Sequence, residues 1–394
     1  MKKIIYSLLL IVSLLIVNSA AQDVTGLAKA SEGQSEFESS IGGVDIGYVR
    51  VGTSEIWNLA WHPDFKFGPW GLGADLNASI GDTKPANYEN YVLRYVEYDD
   101  GKKGLRYGII ENLTWGHGLL MDGYSTRLGG SVLLNNEQLA WLGYYDFDSE
   151  PYLVRALTTG KGVYGVRVEE KINPMLTLGQ TYIADSDGII LPGTTTKQTV
   201  SGLGIDATTP LPMGFDGYAE YAMLMDHGGG LSTGLKWAQD FMVAAADVDI
   251  SYRFLDNKFV PGYFNSEYET NPINLSSAEA TGNAKNGYLA KLAVKAMGIA
   301  AMNLRYENYE DSESAVYGDL YAKLPQDIEV TGYYQQPSFV DFRSLDLEQG
   351  AVIGGSVAYP INQFSKAKVH YKKYYNSTTD QIETTRYVEM KFSF

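Results

Sequence analysis

The fold class that this sequence predicts is all-β, a single closed antiparallel barrel. Three observations carry the prediction. Apolar and polar residues alternate in successive segments after residue 41, the connections between segments alternate short and long, and the final strand ends on the aromatic Phe394. Side chains on a strand alternate between its two faces, so a period of two marks strands that separate two environments. The clearest segments run about ten residues, longer than the five or six usual in soluble sheets and enough for a tilted strand to cross a bilayer.

Taken in order, the chain opens with Lys2 and Lys3, an apolar run from Ile4 to Val17, and the small residues Asn18-Ser19-Ala20-Ala21. That is the pattern of a cleaved export signal over residues 1–21, with an apolar run of 14 residues, shorter than a membrane-spanning helix needs. Residues 22–40 are polar, small and aperiodic, and read as a flexible periplasmic lead-in to a barrel over residues 41–394.

Strand signals follow at 43–50, 54–62, 70–80, 90–98, 105–117, 138–144, 151–157, 163–171, 175–184, 198–207, 214–225 and 230–237. They continue at 242–254, 314–324, 327–335, 350–359, 365–375 and 384–394, while 288–306 alternates for too long to be one strand and is folded near Met297 and Gly298 into a hairpin. Trp70, Leu72, Ala74, Leu76, Ala78 and Ile80 share one face, with Gly71, Gly73, Asp75, Asn77 and Ser79 on the other; Ile250, Tyr252 and Phe254 oppose Asp247, Asp249, Ser251 and Arg253 in the same way. The segments 43–62 and 138–157 are weakly patterned, so the expected number is about 18 strands, within a range of 16 to 20. Pro174, Pro210, Pro212, Pro325 and Pro360 cluster in the short connections, where tight turns suit proline. Longer stretches, read as polar, lie between them at 185–199, 255–287, 308–314, 336–350 and 376–383.

In the closing strand, Val388, Met390, Phe392 and Phe394 alternate with Glu389 and Lys391. This resembles the closing strand of bacterial outer-membrane β-barrels, whose terminal Phe and alternating apolar residues are read by the assembly machinery. The resemblance covers the mature chain through general features and no family-specific motif. It implies a transmembrane antiparallel barrel in the bacterial outer membrane, with short periplasmic turns and long extracellular loops. It also implies contact with outer-membrane lipid and lipopolysaccharide, passage of small solutes, and the option of a homo-oligomer.

Composition fits that setting. Tyr contributes 30 residues, and aromatic rings suit the two water–hydrocarbon boundaries of a barrel. Without residues 1–21 the chain has 29 basic and 47 acidic residues, a charge of −18 that disfavours nucleic acid. There is no cysteine, hence no disulfide framework or thiolate metal site; neither a metal nor a cofactor is expected. Asp226-His227-Gly228-Gly229-Gly230 contains an oxyanion-hole string, but no G-x-S-x-G nucleophile accompanies it. Four histidines, His62, His117, His227 and His370, leave a barrel enzyme formally open, to be decided by whether a Ser/His or Asp/His pair converges; the expected class is a non-enzyme.

The most unusual stretch is Glu111–Gly130, which breaks alternation and sets five glycines among Trp115, Leu119, Leu120, Met121 and Tyr124. A loop this apolar packs against something. Two placements are open: a constriction inside the barrel presenting Glu111, His117, Asp122 and Arg127, or a loop on the rim. Lys291, Lys295, Arg305, Lys368, His370, Lys372 and Lys391 are expected to form a basic lumen wall, with Asp247, Asp249 and Glu389 as lumen acids. Barrels of 16 to 18 strands leave an aqueous channel, so the expected function is a porin-like channel for passive diffusion of small hydrophilic solutes with weak cation selectivity. The alternatives are a substrate-specific barrel for a hydrophobic compound or a polysaccharide, then a barrel enzyme or a surface adhesin.

Overall fold

The computed structural model describes residues 43–51, 54–81, 91–127, 138–147, 150–188, 198–269, 273, 275, 285–339, 351–363, 365–376 and 381–393. The expected export signal (1–21), the lead-in (22–40) and Phe394 lie outside the described residues.

The strands are β1 (Gly43–Val51), β2 (Ser54–His62), β3 (Asp64–Phe67), β4 (Trp70–Gly81), β5 (Tyr91–Asp99), β6 (Lys103–Gly108), β7 (Leu113–Trp115) and β8 (Met121–Tyr124). They continue as β9 (Ala140–Asp146), β10 (Tyr152–Thr159), β11 (Val163–Asn173), β12 (Leu176–Asp185), β13 (Val200–Leu211), β14 (Phe215–Leu224), β15 (Gly229–Phe241) and β16 (Ala244–Leu255). The last are β17 (Phe264–Asn265), β18 (Lys285–Ala296), β19 (Ala300–Tyr309), β20 (Ser314–Leu324), β21 (Ile328–Phe339), β22 (Val352–Asn362), β23 (Ser365–Asn376) and β24 (Gln381–Ser393).

Among the described residues, 21 strands form one sheet and β7, β8 and β17 form a second, small one. Every pairing in the large sheet is antiparallel, and β1 pairs with both β2 and β24, so the sheet closes on itself. β3 continues the line of β2 past Pro63, and both pair with β4. Counting β2 and β3 as one, the ring has about twenty strands, at the upper end of the expected range. The weakly patterned segments 43–62 and 138–157 both belong to it, as β1–β2 and β9–β10. The hairpin expected near Met297 and Gly298 turns there between β18 and β19.

The two faces invert the pattern of a water-soluble sheet. On β16, Ile250, Tyr252 and Phe254 are 55%, 43% and 46% exposed, while Asp249, Ser251 and Arg253 are 7%, 2% and 1% exposed. The exposed apolar side chains recur around the ring, for instance at Leu72, Val166, Leu203, Leu235, Leu320, Val357 and Val388. Exposed to water, so extended an apolar band would drive association; exposed to hydrocarbon, it is solvated. Aromatic pairs mark two levels on the outer face. Trp70–Tyr98, Tyr145–Phe147 and Phe215–Trp237 lie by the short turns, and Tyr164–Tyr182, Tyr252–Phe254 and Tyr288–Tyr306 by the opposite rim.

One end of the ring carries the tight connections. Two of them are short 3₁₀ turns, Pro212–Gly214 and Pro325–Asp327, in which proline supplies the first turn residue and Met213 and Gln326 take the left-handed conformation at φ 68°. The opposite end carries the longest connections, β6 to β9 and β16 to β18. A closed antiparallel ring, apolar outside and polar within, with aromatic bands and unequal ends, is the architecture of an outer-membrane-type β-barrel.

Candidate functional site

The candidate site lies where these two long connections turn inward. β6 ends at Gly108, short of the strand expected over 105–117, because Gly108 adopts φ 152° with a Cβ position 2.2 Å from the Arg94 carbonyl oxygen, so a side chain here would collide with β5. From there the chain leaves the wall. Residues 113–124 form a small hairpin in which Leu113 pairs with Tyr124 and Trp115 with Met121. A piece of the second connection, β17, lies parallel to its return strand β8, Phe264 opposite Met121 and Asn265 opposite Asp122. Gly262 and Phe264 donate their amides to the carbonyls of Leu119 and Leu120 at 2.8 and 3.2 Å.

The hairpin's apolar side packs on the inward face of β10 to β16. Trp115, Leu119, Leu120, Met121 and Tyr124 are all buried, in one cluster with Leu157, Val163, Ile183, Val200, Leu224, Leu255, Phe259, Tyr263, Phe264 and Tyr268. The wall makes room with glycine. A Cβ on Gly165 would sit 2.7 Å from the Trp115 ring, and one on Gly202 2.7 Å from Leu120. The connection at 255–287, expected from sequence to be polar, is therefore apolar over Phe259–Phe264, a short run between polar ends.

Polar contacts fix the hairpin at two places. Near its tip, the amides of His117 and Leu119 both donate to Glu220 Oε2 on β14, at 3.0 Å each. The His117 ring stacks on Tyr218, centroids 3.8 Å apart and 8° from parallel, with Nε2 2.9 Å from Thr208 Oγ1. Farther along, Lys291 Nζ on β18 donates to both oxygens of Asp122 at 2.8 Å, and Arg305 Nη1 on β19 donates to Asp122 Oδ2. The pairing order places β18 and β19 across the ring from β6, so the hairpin spans the lumen.

The charges have identifiable causes. Burial would push the Asp122 carboxyl up, but the Lys291 ammonium and the Arg305 guanidinium hold it well below the usual carboxylate range. Burial lowers the His117 imidazole from its ordinary 6.5, against the pull of Asp206 and Asp249 and with help from Lys236 and Arg167. A lowered imidazole stabilises the docked hairpin above pH 6.5, and that contribution is lost as pH falls below 6.5 and through the folded-state value. Amide exchange over residues 116–121, corrected for its intrinsic pH dependence, is therefore expected to accelerate on mild acidification. His117→Gln is expected to flatten this profile, and an unchanged profile in that variant would assign the effect elsewhere.

The other sequence-derived candidates are distributed as follows. Glu111 and Arg127 pair with each other at 2.9 Å where the hairpin joins the wall. Asp249 accepts the Tyr218 hydroxyl at 2.6 Å, and Asp247 lies 3.8 Å from Lys236. Lys295 stands in register between Ala245 and Ala301, beyond Lys291 on the same face of β18. Lys368, His370 and Lys372 follow one another along one face of β23, opposite Glu389, Tyr387 and Thr385. Lys391 is opposite Asp45 and Lys366 in register. The side chains of Glu389, Lys391 and Phe392 are outside the described ones; Val388 is exposed on the outer face and Met390 is half-buried.

The structure thus brings His117 and Asp122 together with Lys291 and Arg305 through the hairpin, and leaves the β23 cations on a separate part of the wall. Sequence reasoning missed Glu220 and the buried pair of Arg167 with Asp206, whose two contacts are 2.6 and 2.9 Å. Alternation alone places Arg167, Asp206 and Glu220 on inward faces; which acids meet a loop is set by register. At the short-turn end, Asp75 takes His62 Nδ1 at 2.7 Å and Arg94 Nε at 3.0 Å, and Arg94 and Tyr95 both reach Asp64. This Asp/His pair is one link of a wall network.

No protein-family model matches this chain, and no curated protein matches it. Among solved structures it is similar to Wzi of Escherichia coli, an outer-membrane protein involved in group 1 capsule assembly and a carbohydrate-binding β-barrel. That match has 11% identity over 90% of this chain and 85% of that one, at a TM-score of 0.40. A BenF-like porin from Pseudomonas fluorescens Pf-5 matches with 10% identity over 91% and 99% of the two chains, TM-score 0.42. OccK3 (OpdO) of Pseudomonas aeruginosa matches with 10% identity over 89% and 94%, TM-score 0.41.

Proposed function

We propose that the protein is an outer-membrane channel for passive diffusion of small hydrophilic solutes, reaching that membrane through the export signal at its N-terminus. The observation that carries this reading is the ion-paired tie from Asp122, on a segment inside the ring, to Lys291 and Arg305 on the far wall. A hairpin held at that point narrows the lumen and leaves polar wall beside it. The remaining conduit runs past the inward faces of β18 to β23 and of β4 and β5, which carry Asn303, Asp319, Tyr333, Ser356 and Asp75. Water and small polar solutes suit such a lining, and nothing in the proposal requires a reacting group. The acidic excess of the chain gives the conduit a weak preference for cations, opposed locally by the basic residues of β18, β19 and β23.

Planar-bilayer recording of the refolded mature chain is the test. Discrete conductance steps are expected, with a reversal potential of weakly cation-selective sign across a salt gradient. Deleting Leu119–Ser125 should enlarge the single-channel conductance, because it removes the cross-lumen hairpin. An unchanged conductance would remove the hairpin as the constriction, and clear anion selectivity would contradict the proposed ion preference. A second reading, a substrate-specific barrel with its binding site on the hairpin, is favoured by the involvement of two inward connections rather than one. Steps that a particular solute blocks in a saturable manner would point to it.

A further inference from the structure

We propose that the lumen wall of β20 and β21 binds a methylated ammonium ion, with Asp319 as its countercharge and Tyr317, Tyr321 and Tyr333 as the surrounding ring surface. Leu320 is 47% exposed on the outer face, so Tyr317, Asp319 and Tyr321 point inward. Tyr333 does so too, because it pairs in register with Asp319. Asp319 therefore has a tyrosine on either side along its own strand, about 7 Å from Cα to Cα, and a third directly across. On its fourth side the Asn303 amide of β19 donates to Asp319 Oδ2 at 2.8 Å. That partner is neutral, and among the described residues Asp319 has no ion pair. A carboxylate among aromatic rings suits a methylated ammonium, whose charge faces the carboxylate while its methyl groups lie on the ring faces.

The ring of Tyr333 lies across Gly354, its register partner on β22, where a Cβ would come within 2.4 Å of the ring's Cζ. One ring face is thereby laid along the wall and the other turned to the lumen. Elsewhere in the wall a tyrosine laid on its partner glycine has a companion from the chain itself. Tyr95, on Gly73, carries the Arg106 guanidinium 4.5 Å over its ring, and Tyr218, on Gly234, carries the His117 imidazole at 3.8 Å. Tyr144 and Tyr309, on Gly104 and Gly287, are held through their hydroxyls by Asp99 and Arg253. Among the described residues nothing stacks on Tyr333 or bonds its hydroxyl. Arg106 on Tyr95 shows within this barrel what such a platform accepts: a cation. The nearest cations of the wall are engaged, Arg305 with Glu307 and Asp122 and Lys323 with Asp327. Lys372 stands three strands from Asp319, about 14 Å at the strand spacing.

The inference names a solute class for the proposed channel and rests on that reading only for how the solute arrives, so its test is a binding measurement. The refolded full chain in detergent micelles is titrated with tetramethylammonium chloride at an ionic strength held constant with sodium chloride, and saturation transfer to the methyl protons is followed by NMR. Saturable transfer, displaced by choline, is expected. Asp319→Asn and Tyr333→Leu are each expected to weaken binding at least about tenfold. Tyr333→Phe keeps the ring face and is expected to bind within about twofold of the parent chain, which a misfolded wall would not do. The proposal is overturned if the parent chain shows no saturable transfer, if Asp319→Asn or Tyr333→Leu binds as the parent does, or if Tyr333→Phe loses as much as Tyr333→Leu. Binding by a chain that conducts no current would support the site and remove the channel reading; current steps without saturable binding would do the reverse.

Discussion

Replacing Asp122 with alanine is expected to detach the cross-lumen hairpin from β18 and β19. The Asp122 side chain is 6% exposed and neutralises Lys291 and Arg305, which are 27% and 29% exposed. Removing Asp122 leaves Lys291 without that carboxylate while Arg305 keeps Glu307; with both cations partly hydrated, the cost is about 3 kcal/mol, the low end of the range for a buried pair. Amide-exchange protection over residues 116–121 is expected to fall by roughly two orders of magnitude, at 1.4 kcal/mol per decade. Single-channel conductance should rise in parallel, and protection equal to that of the parent chain would show that Glu220 and the apolar packing suffice. The tie is also expected to outlast mild acidification. A carboxyl held below its ordinary value contributes stability above pH 3.8, lost only as pH falls below it and through the folded-state value. Acidification between pH 6.5 and 4 therefore loosens the His117 end while the Asp122 end holds.

The second large effect is expected at Trp115. Its ring is 1% exposed and rests on the inward face of β11, where Gly165 leaves it room. Trp115→Ala should cost about 3 to 5 kcal/mol of hairpin docking through lost burial and the cavity left behind. Gly165→Val approaches the same contact from the wall, because a Cβ there lies 2.7 Å from the ring, as well as 2.9 Å from the Tyr182 carbonyl oxygen. Overpacking of that kind typically costs about 1 to 3 kcal/mol. In the double variant the added methyl groups enter the space that the indole vacates, so the combined loss should be smaller than the sum of the single losses. A strictly additive result, measured by amide exchange over residues 116–121, would show that the two positions do not share one contact.

Both experiments address a device that only part of the chain announces. Glu111–Gly130 declares itself by composition, since a glycine-studded loop containing Trp115, Leu119, Leu120 and Met121 has too much apolar surface to remain in water. The matching seats, Gly165 and Gly202, look like ordinary strand glycines until the hairpin is laid on them. Phe259–Phe264 is the same kind of signal on a shorter scale, and the polar residues flanking it hid it.

What the sequence determined by itself was the wall. Alternation in Trp70–Ile80, Met242–Phe254 and Tyr288–Tyr306 is a local property: each strand carries its own record of which side meets lipid and which meets the lumen, and proline marks where it turns. The order of the strands follows because neighbours in an antiparallel meander are neighbours in sequence. What only the tertiary structure decided was what meets what across the lumen. Asp122 and Lys291 are 169 residues apart, and Asp122 and Arg305 are 183 apart. Their meeting depends on the register of every strand between them and on the chain leaving the wall at Gly108, and a one-residue slip in any register would turn the partner toward lipid. The closing of β24 onto β1 is of the same kind, because the two strands hold the opposite ends of the barrel sequence and are joined only by the curvature of the whole ring.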